Sequence, residues 1–239
     1  MKANLWAILL ICLFLVNGCA TTPTTAKSDP VENMHKVNNF DGLIDYYQKK
    51  VEQNPDDLAS YEQIALAYFK KNDLESAEFY SDYLLERGYQ SQELLFVRGK
   101  IYASDEEPAN AIAFFYQSIA SGNNSGDVFN ALGVEYSKLN QFSEAIDAFN
   151  TARLRGFDEL TVKNNLAVIY IAQGNNQKAI SVLTALLEEV PENKKVRSNL
   201  AIALLRAGDM TSAKSLLKDD FSSRELVLVS QQIQSGESQ

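Results

Sequence analysis

The sequence predicts an all-α fold: an α-solenoid of five stacked helical hairpins, with a capping helix at each end. Three observations carry this. Ala77, Ala111, Ala145, Ala179 and Ala213 recur at a fixed spacing of 34 residues. Tyr68, Tyr102, Tyr136 and Tyr170, with Leu204 in the fifth place, keep the same register, as do Ala65, Gly99, Gly133, Ala167 and Ala201. Apolar residues fall at helical period, as in Leu166, Ala167 and Tyr170, and again in Ala179, Ile180, Leu183, Leu186 and Leu187. A long fixed period is the mark of stacked units that bury their faces against one another.

Residues 1–18 read as a secretory signal. Lys2 supplies the positive start, and residues 5–16 form an apolar run. As a helix that run would rise roughly 18 Å, too short for a hydrocarbon core of about 30 Å. It ends in Val16-Asn17-Gly18-Cys19. One reading is ordinary signal cleavage with Cys19 incidental. The other rests on a resemblance to the lipobox of bacterial lipoproteins, with Val where Leu is usual. That resemblance implies that Cys19 becomes the first mature residue and carries the lipid, palmitate-type acyl chains included. The Thr-, Ser- and Pro-rich stretch that follows favours it, as a flexible tether over 19–38 would be polar. An anchor with more than one acyl chain holds a membrane more stably than a single chain does. Ala20 is not the Asp of an inner-membrane retention signal, which points to the outer membrane and its periplasmic face.

Cys12 and Cys19 are the only cysteines. Cys12 would leave with the signal, so the fold must rest on packing without an internal disulfide. The net charge of −9 argues against nucleic acid, which calls for clustered Lys and Arg.

The hairpins follow in order. Residues 39–57 form an N-terminal capping helix, since Leu43, Tyr47 and Pro55 keep the register of the second helices. The repeats occupy 58–91, 92–125, 126–159, 160–193 and 194–221. Between paired helices stands a residue suited to positive φ: Asn72, Asn140, Gly174 and Gly208. Glu106 breaks this pattern, and the turn there is assigned to Pro108 instead. Small residues such as Gly133 and Ala145 let helix backbones approach closely. Pro55 and Pro191 stop second helices. Ser222 and Glu225 read as a capping box that opens a C-terminal capping helix within 222–239, its tail frayed.

The pattern Leu/Ile-Ala/Gly-x-x-Tyr, then Ala, then Phe or Leu, then Pro resembles the tetratricopeptide repeat (TPR). That resemblance implies a right-handed solenoid of TPR hairpins that binds protein partners. Repeat two departs at Arg98, and repeat five lacks the Tyr.

No catalytic constellation can be assembled. His35 is the only histidine, in the tether, and the sequence holds no HExxH, GxSxG or P-loop motif. The chain therefore reads as a non-enzyme, without cofactor, metal or small-molecule substrate. Function is expected on the concave face formed by first helices. Asn130, Asn164, Asn165 and Asn199 should point there, able to pair with an extended peptide backbone. Val134, Val168 and Ile202 follow on the same face, then Ser137, Ile171 and Leu205. The family's charged clamp for acidic C-termini is not matched, since Glu62, Phe96, Asn130 and Asn164 stand at its positions.

The C-terminal part also resembles the TadD-like lipoproteins of tight-adherence (Flp) pilus assembly. Asn164-Asn165-Leu166-Ala167, Gln173-Gly174, Val196-Arg197-Ser198-Asn199-Leu200-Ala201, Arg206-Ala207-Gly208-Asp209 and Asp220-Phe221-Ser222 carry that likeness. It implies an outer-membrane adaptor in pilus biogenesis, acting on secretin assembly. Alternatives with the same plan are a pilotin of another type IV pilus or secretion system, or an adaptor for peptidoglycan hydrolases or outer-membrane protein assembly.

Overall fold

The structure is a computed structural model that describes residues 29–217. The signal, Cys19, most of the tether and the C-terminal capping helix lie outside the described residues. Within them are twelve helices and no strand. The all-α solenoid expected from the spacing is what the chain forms.

Residues 29–39 belong to a unit of their own. It holds α1, Pro30–Lys36, where the sequence reading had placed flexible tether. The start signals were present. Asp29 accepts a hydrogen bond from the Val31 N–H at 3.0 Å, and Pro30 occupies the first turn. His35 lies in the last turn of this helix.

The second unit begins with α2, Phe40–Gln53. Five hairpins follow: α3 (Leu58–Lys70) with α4 (Leu74–Glu86), α5 (Gln92–Ser104) with α6 (Pro108–Ala120), and α7 (Gly126–Lys138) with α8 (Phe142–Leu154). Then come α9 (Glu159–Ala172) with α10 (Asn176–Glu189) and α11 (Lys194–Arg206) with α12 (Met210–Leu217). Within this unit each helix packs on its chain neighbours. The first helices α3, α5, α7, α9 and α11 also touch one another in series, which gathers them on one side.

Local chemistry sets the helix ends. Asp57, Asp73 and Asp158 cap α3, α4 and α9, accepting from the backbone N–H of Ser60, Ser76 and Thr161 at 3.1, 3.1 and 2.7 Å. The Ser60 and Thr161 hydroxyls donate to the same carboxylates, which holds Asp57 and Asp158 below the usual carboxyl range. First helices close with a left-handed residue. Asn72, Asn140, Gly174 and Gly208 all take positive φ, as the sequence suggested. Glu106 does too, at φ 60, so the assignment of that turn to Pro108 is corrected. The next N–H then returns to the ladder residue: Asp73 to Tyr68, Glu107 to Tyr102, Gln141 to Tyr136, Asn175 to Tyr170 and Asp209 to Leu204, at 2.8–3.0 Å. This bond satisfies an orphan carbonyl and demands the left-handed residue before it, whatever side chain stands there.

The core runs between the helix layers. Ala77, Ala111, Ala145, Ala179 and Ala213 are fully buried, as are Phe115, Phe149 and Leu183. Arg98 occupies a core position of repeat two and is 5% exposed. Its Nη1 donates to Glu78 Oε1 at 2.6 Å and its Nη2 lies 3.0 Å from Asp82 Oδ1. Burial alone would pull the guanidinium down. The paired carboxylates outweigh it and hold Arg98 above its usual value. This accounts for the departure from Leu: the charge is buried but paired.

Candidate functional site

Three consecutive first helices, α7, α9 and α11, build a groove of about 390 Å³. Val134, Ser137 and Lys138 come from α7, Asn165 and Val168 from α9, and Lys195 and Asn199 from α11, with Phe149 of α8 at the floor. Helical period explains the selection. Asn165 and Val168 are three apart, as are Val134 and Ser137, so each pair shares a helix face. Val168 is 40% exposed although apolar.

The asparagines of this face bond to one another across repeats. Asn165 Nδ2 donates to Asn130 Oδ1 at 3.1 Å, and Asn199 Nδ2 donates to Asn164 Oδ1 at 2.8 Å. Asn164 is 2% exposed, and its Nδ2 is buried without a hydrogen-bond partner. The amides thus tie α7 to α9 and α9 to α11, and Asn165 and Asn199 still line the groove.

Not every expected residue reaches it. Ile171 and Leu205 are 7% and 3% exposed and buried in the core rather than presented to the groove. Ile171 packs with Leu183, Leu186 and Leu200. Ile202 is half-buried and packs on the same cluster. The reason is rotational. These residues are placed where the helix face has turned back toward the partner helix of the hairpin. Of the expected residues, Val134, Ser137, Asn165, Val168 and Asn199 come together in the groove.

Sequence reasoning missed both of its cations. Lys138 Nζ lies 2.8 Å from the Glu135 carboxylate and donates to the Ala103 carbonyl at 3.1 Å. Arg206 makes the equivalent link, donating to the Ile171 carbonyl at 3.2 Å. The signal was a basic residue ending α7 and α11, 35 residues after a carbonyl in the last turn of the preceding first helix. No carboxylate pairs with Lys195 among the described residues. The groove therefore combines an apolar floor, amide donors and acceptors, and two ammonium groups. At the other end of the array, Glu62 is buried and accepts from the hydroxyls of Tyr89 and Ser91, so it ties α3 to the connection between α4 and α5.

Among the described residues, no cluster of His, Cys, Asp and Glu could hold a metal ion, and no helix is long and apolar enough to cross a membrane.

A tetratricopeptide repeat model matches residues 62–126 and 130–191, and a second matches residues 170–220. The chain belongs to the tetratricopeptide repeat family. TPR repeats are protein-interaction scaffolds. It is similar to the TPR repeat-containing protein MJ1428 of Methanocaldococcus jannaschii, at 24% identity over 167 residues. That match spans 66% of this chain but only 29% of the relative. Among solved structures it resembles YrrB, described as a TPR protein with an unusual peptide-binding site, with TM-score 0.60 and 21% identity over 78% of this chain and 97% of that one. It also resembles a TPR protein from Parabacteroides merdae, with TM-score 0.67 and 12% identity over 87% of this chain and 84% of that one. At these identities the structural likenesses speak for the fold.

Proposed function

We propose that this TPR protein is a lipid-anchored adaptor of the outer membrane that holds an extended segment of a partner in the α7–α9–α11 groove during assembly of a pilus or secretion machine. The observation that carries the binding reading is the apolar lining of half-buried Val134 and exposed Val168, flanked by Asn165 and Asn199. Solvent-exposed apolar surface between convergent polar groups is the usual make-up of a recognition site. YrrB, a structural neighbour, is described as having a peptide-binding site, which supports the same use of the fold here. The anchor rests on Val16-Asn17-Gly18-Cys19 and the polar stretch after it. Flp pilus biogenesis, acting on secretin assembly, rests on the TadD-like residues. Asn164-Asn165-Leu166-Ala167 and Val196-Arg197-Ser198-Asn199 fall in α9 and α11, two of the three helices that build the groove. On this reading the protein has no catalytic role.

A deletion strain complemented with the intact gene, with Val168→Asp or with Cys19→Ser tests the proposal. The intact gene should restore pili and secretin multimers. Val168→Asp should accumulate normally and restore neither. Cys19→Ser should leave the membrane fraction. A deletion strain that assembles both structures unaided would contradict the pilus reading.

A further inference from the structure

The ladder tyrosines Tyr68, Tyr102, Tyr136 and Tyr170 share one register but differ in what meets the ring. Arg98 Cζ lies 4.6 Å from the Tyr102 centroid while its nitrogens pair with Glu78 and Asp82. Lys178 Nζ lies 4.0 Å from the Tyr170 centroid. In repeat three the Tyr136 hydroxyl is 2.7 Å from that of Tyr116. Repeat one is different. As in repeat three, neither register that supplies a cation elsewhere does so here: Ser76 stands in the register of Lys178 and Ile64 in that of Arg98, and no tyrosine hydroxyl takes the place that Tyr116 has there. The Tyr68 ring stacks on Tyr80 with centroids 5.6 Å apart. Beside them opens a cavity of about 480 Å³ lined by Tyr68, Asp73, Glu75, Ser76, Phe79 and Tyr80. Phe79 is 65% exposed at its mouth. Lys71, which follows α3, is turned to Asp41 at 2.6 Å. Asp73 caps α4 through Ser76, and the exposed Glu75 adds a second carboxylate.

We propose that this notch receives an arginine side chain of a partner protein. The chain itself shows the chemistry one repeat later, where a tyrosine face and two carboxylates hold the Arg98 guanidinium. A planar guanidinium can lie against a tyrosine while its N–H fork meets a carboxylate, which an ammonium cannot match. The notch is distinct from the α7–α9–α11 groove and lies near the opposite end of the array. It gives the protein a second contact, selective for a basic residue, and the net charge of −9 favours approach of such a partner.

The test uses the full chain with labelled aromatic rings, titrated by nuclear magnetic resonance with an acetyl-Gly-Arg-Gly-amide peptide and with its citrulline counterpart. The arginine peptide should shift the rings of Tyr68, Phe79 and Tyr80, and the citrulline peptide should not. Ser76→Lys, which installs the cation that repeat four carries, should weaken binding about tenfold or more, since a tethered cation then fills the site. Phe79→Ala, at an exposed position that cannot unfold the core, should weaken it as well. Val168→Asp should change nothing, so failure here is separable from failure of the groove reading. Equal shifts with citrulline, or undiminished affinity in Ser76→Lys and Phe79→Ala, would overturn the proposal.

Discussion

Gly133 lies against the ring of Phe149 so closely that a β-carbon on the glycine would stand 2.5 Å from the ring atom Cε1. Gly99 and Phe115 repeat the relationship 34 residues earlier, at 2.6 Å. Where the small position holds Ala, the facing residue is smaller too: Ala167 packs with Leu183, and Ala201 with Leu217. In repeats two to five the hairpin crossing thus keeps a similar combined volume, with Gly opposite Phe and Ala opposite Leu, while repeat one sets Ala65 in the register of Ser81. Close packing leaves no slack for one more carbon against a fully buried ring.

Gly133→Ala should therefore destabilise the protein by about 1–3 kcal/mol in urea unfolding, although alanine is the better helix former. Adding Phe149→Leu should recover part of that loss, with a coupling of about 0.5–3 kcal/mol in a double-mutant cycle. Strict additivity would show that the two residues do not share one space.

Glu106→Gly should stabilise the protein, by roughly 1 kcal/mol, because Glu106 holds φ 60 without the freedom of glycine. The Glu107 N–H bond to the Tyr102 carbonyl stays in place. A thermal melt that shifts downward would contradict this.

Asn199→Ala should cost about 1–3 kcal/mol, since it leaves the Asn164 amide oxygen buried without its donor. Replacing Asn164 and Asn199 together by alanine should cost less than the sum of the two single changes. Denaturant midpoints for the three variants decide it.

Stability should fall in alkali through Tyr89. Burial first, then its hydrogen bond to the Glu62 carboxylate, pushes the hydroxyl up to about 12. An unfolded tyrosine titrates near 10. A raised folded value means that the contribution is whole below about pH 10 and is lost as pH climbs toward about 12. Tyr89→Phe should show a shallower decline over that window and one fewer late tyrosinate step by ultraviolet absorbance.

The ladder made the solenoid legible because the hairpins carry the same small, aromatic and turn residues at the same places, with Leu204 and Glu106 as single departures. The groove was half legible. Val134, Asn165, Val168 and Asn199 could be placed by period alone. Ile171 and Leu205 could not, because a side chain one turn further on faces the core or the groove according to a rotation of the helix that the alternation of residues does not encode. The asparagine pairs escaped for another reason. Their partners lie 35 residues away, one beyond the repeat, so an amide that seems available to a ligand is partly engaged by the next helix. Helix α1 was missed because composition outweighed the Asp29-Pro30 start signal.

The central claim is that partners are held in the α7–α9–α11 groove. A photo-crosslinking amino acid placed at Val168, in cells that express the full chain, tests it most directly, with Leu154, 81% exposed and outside the groove, as the reference position. Position 168 should yield discrete protein adducts that Val134→Asp abolishes, and position 154 should yield none of them. Adducts from 154 with none from 168 would contradict it.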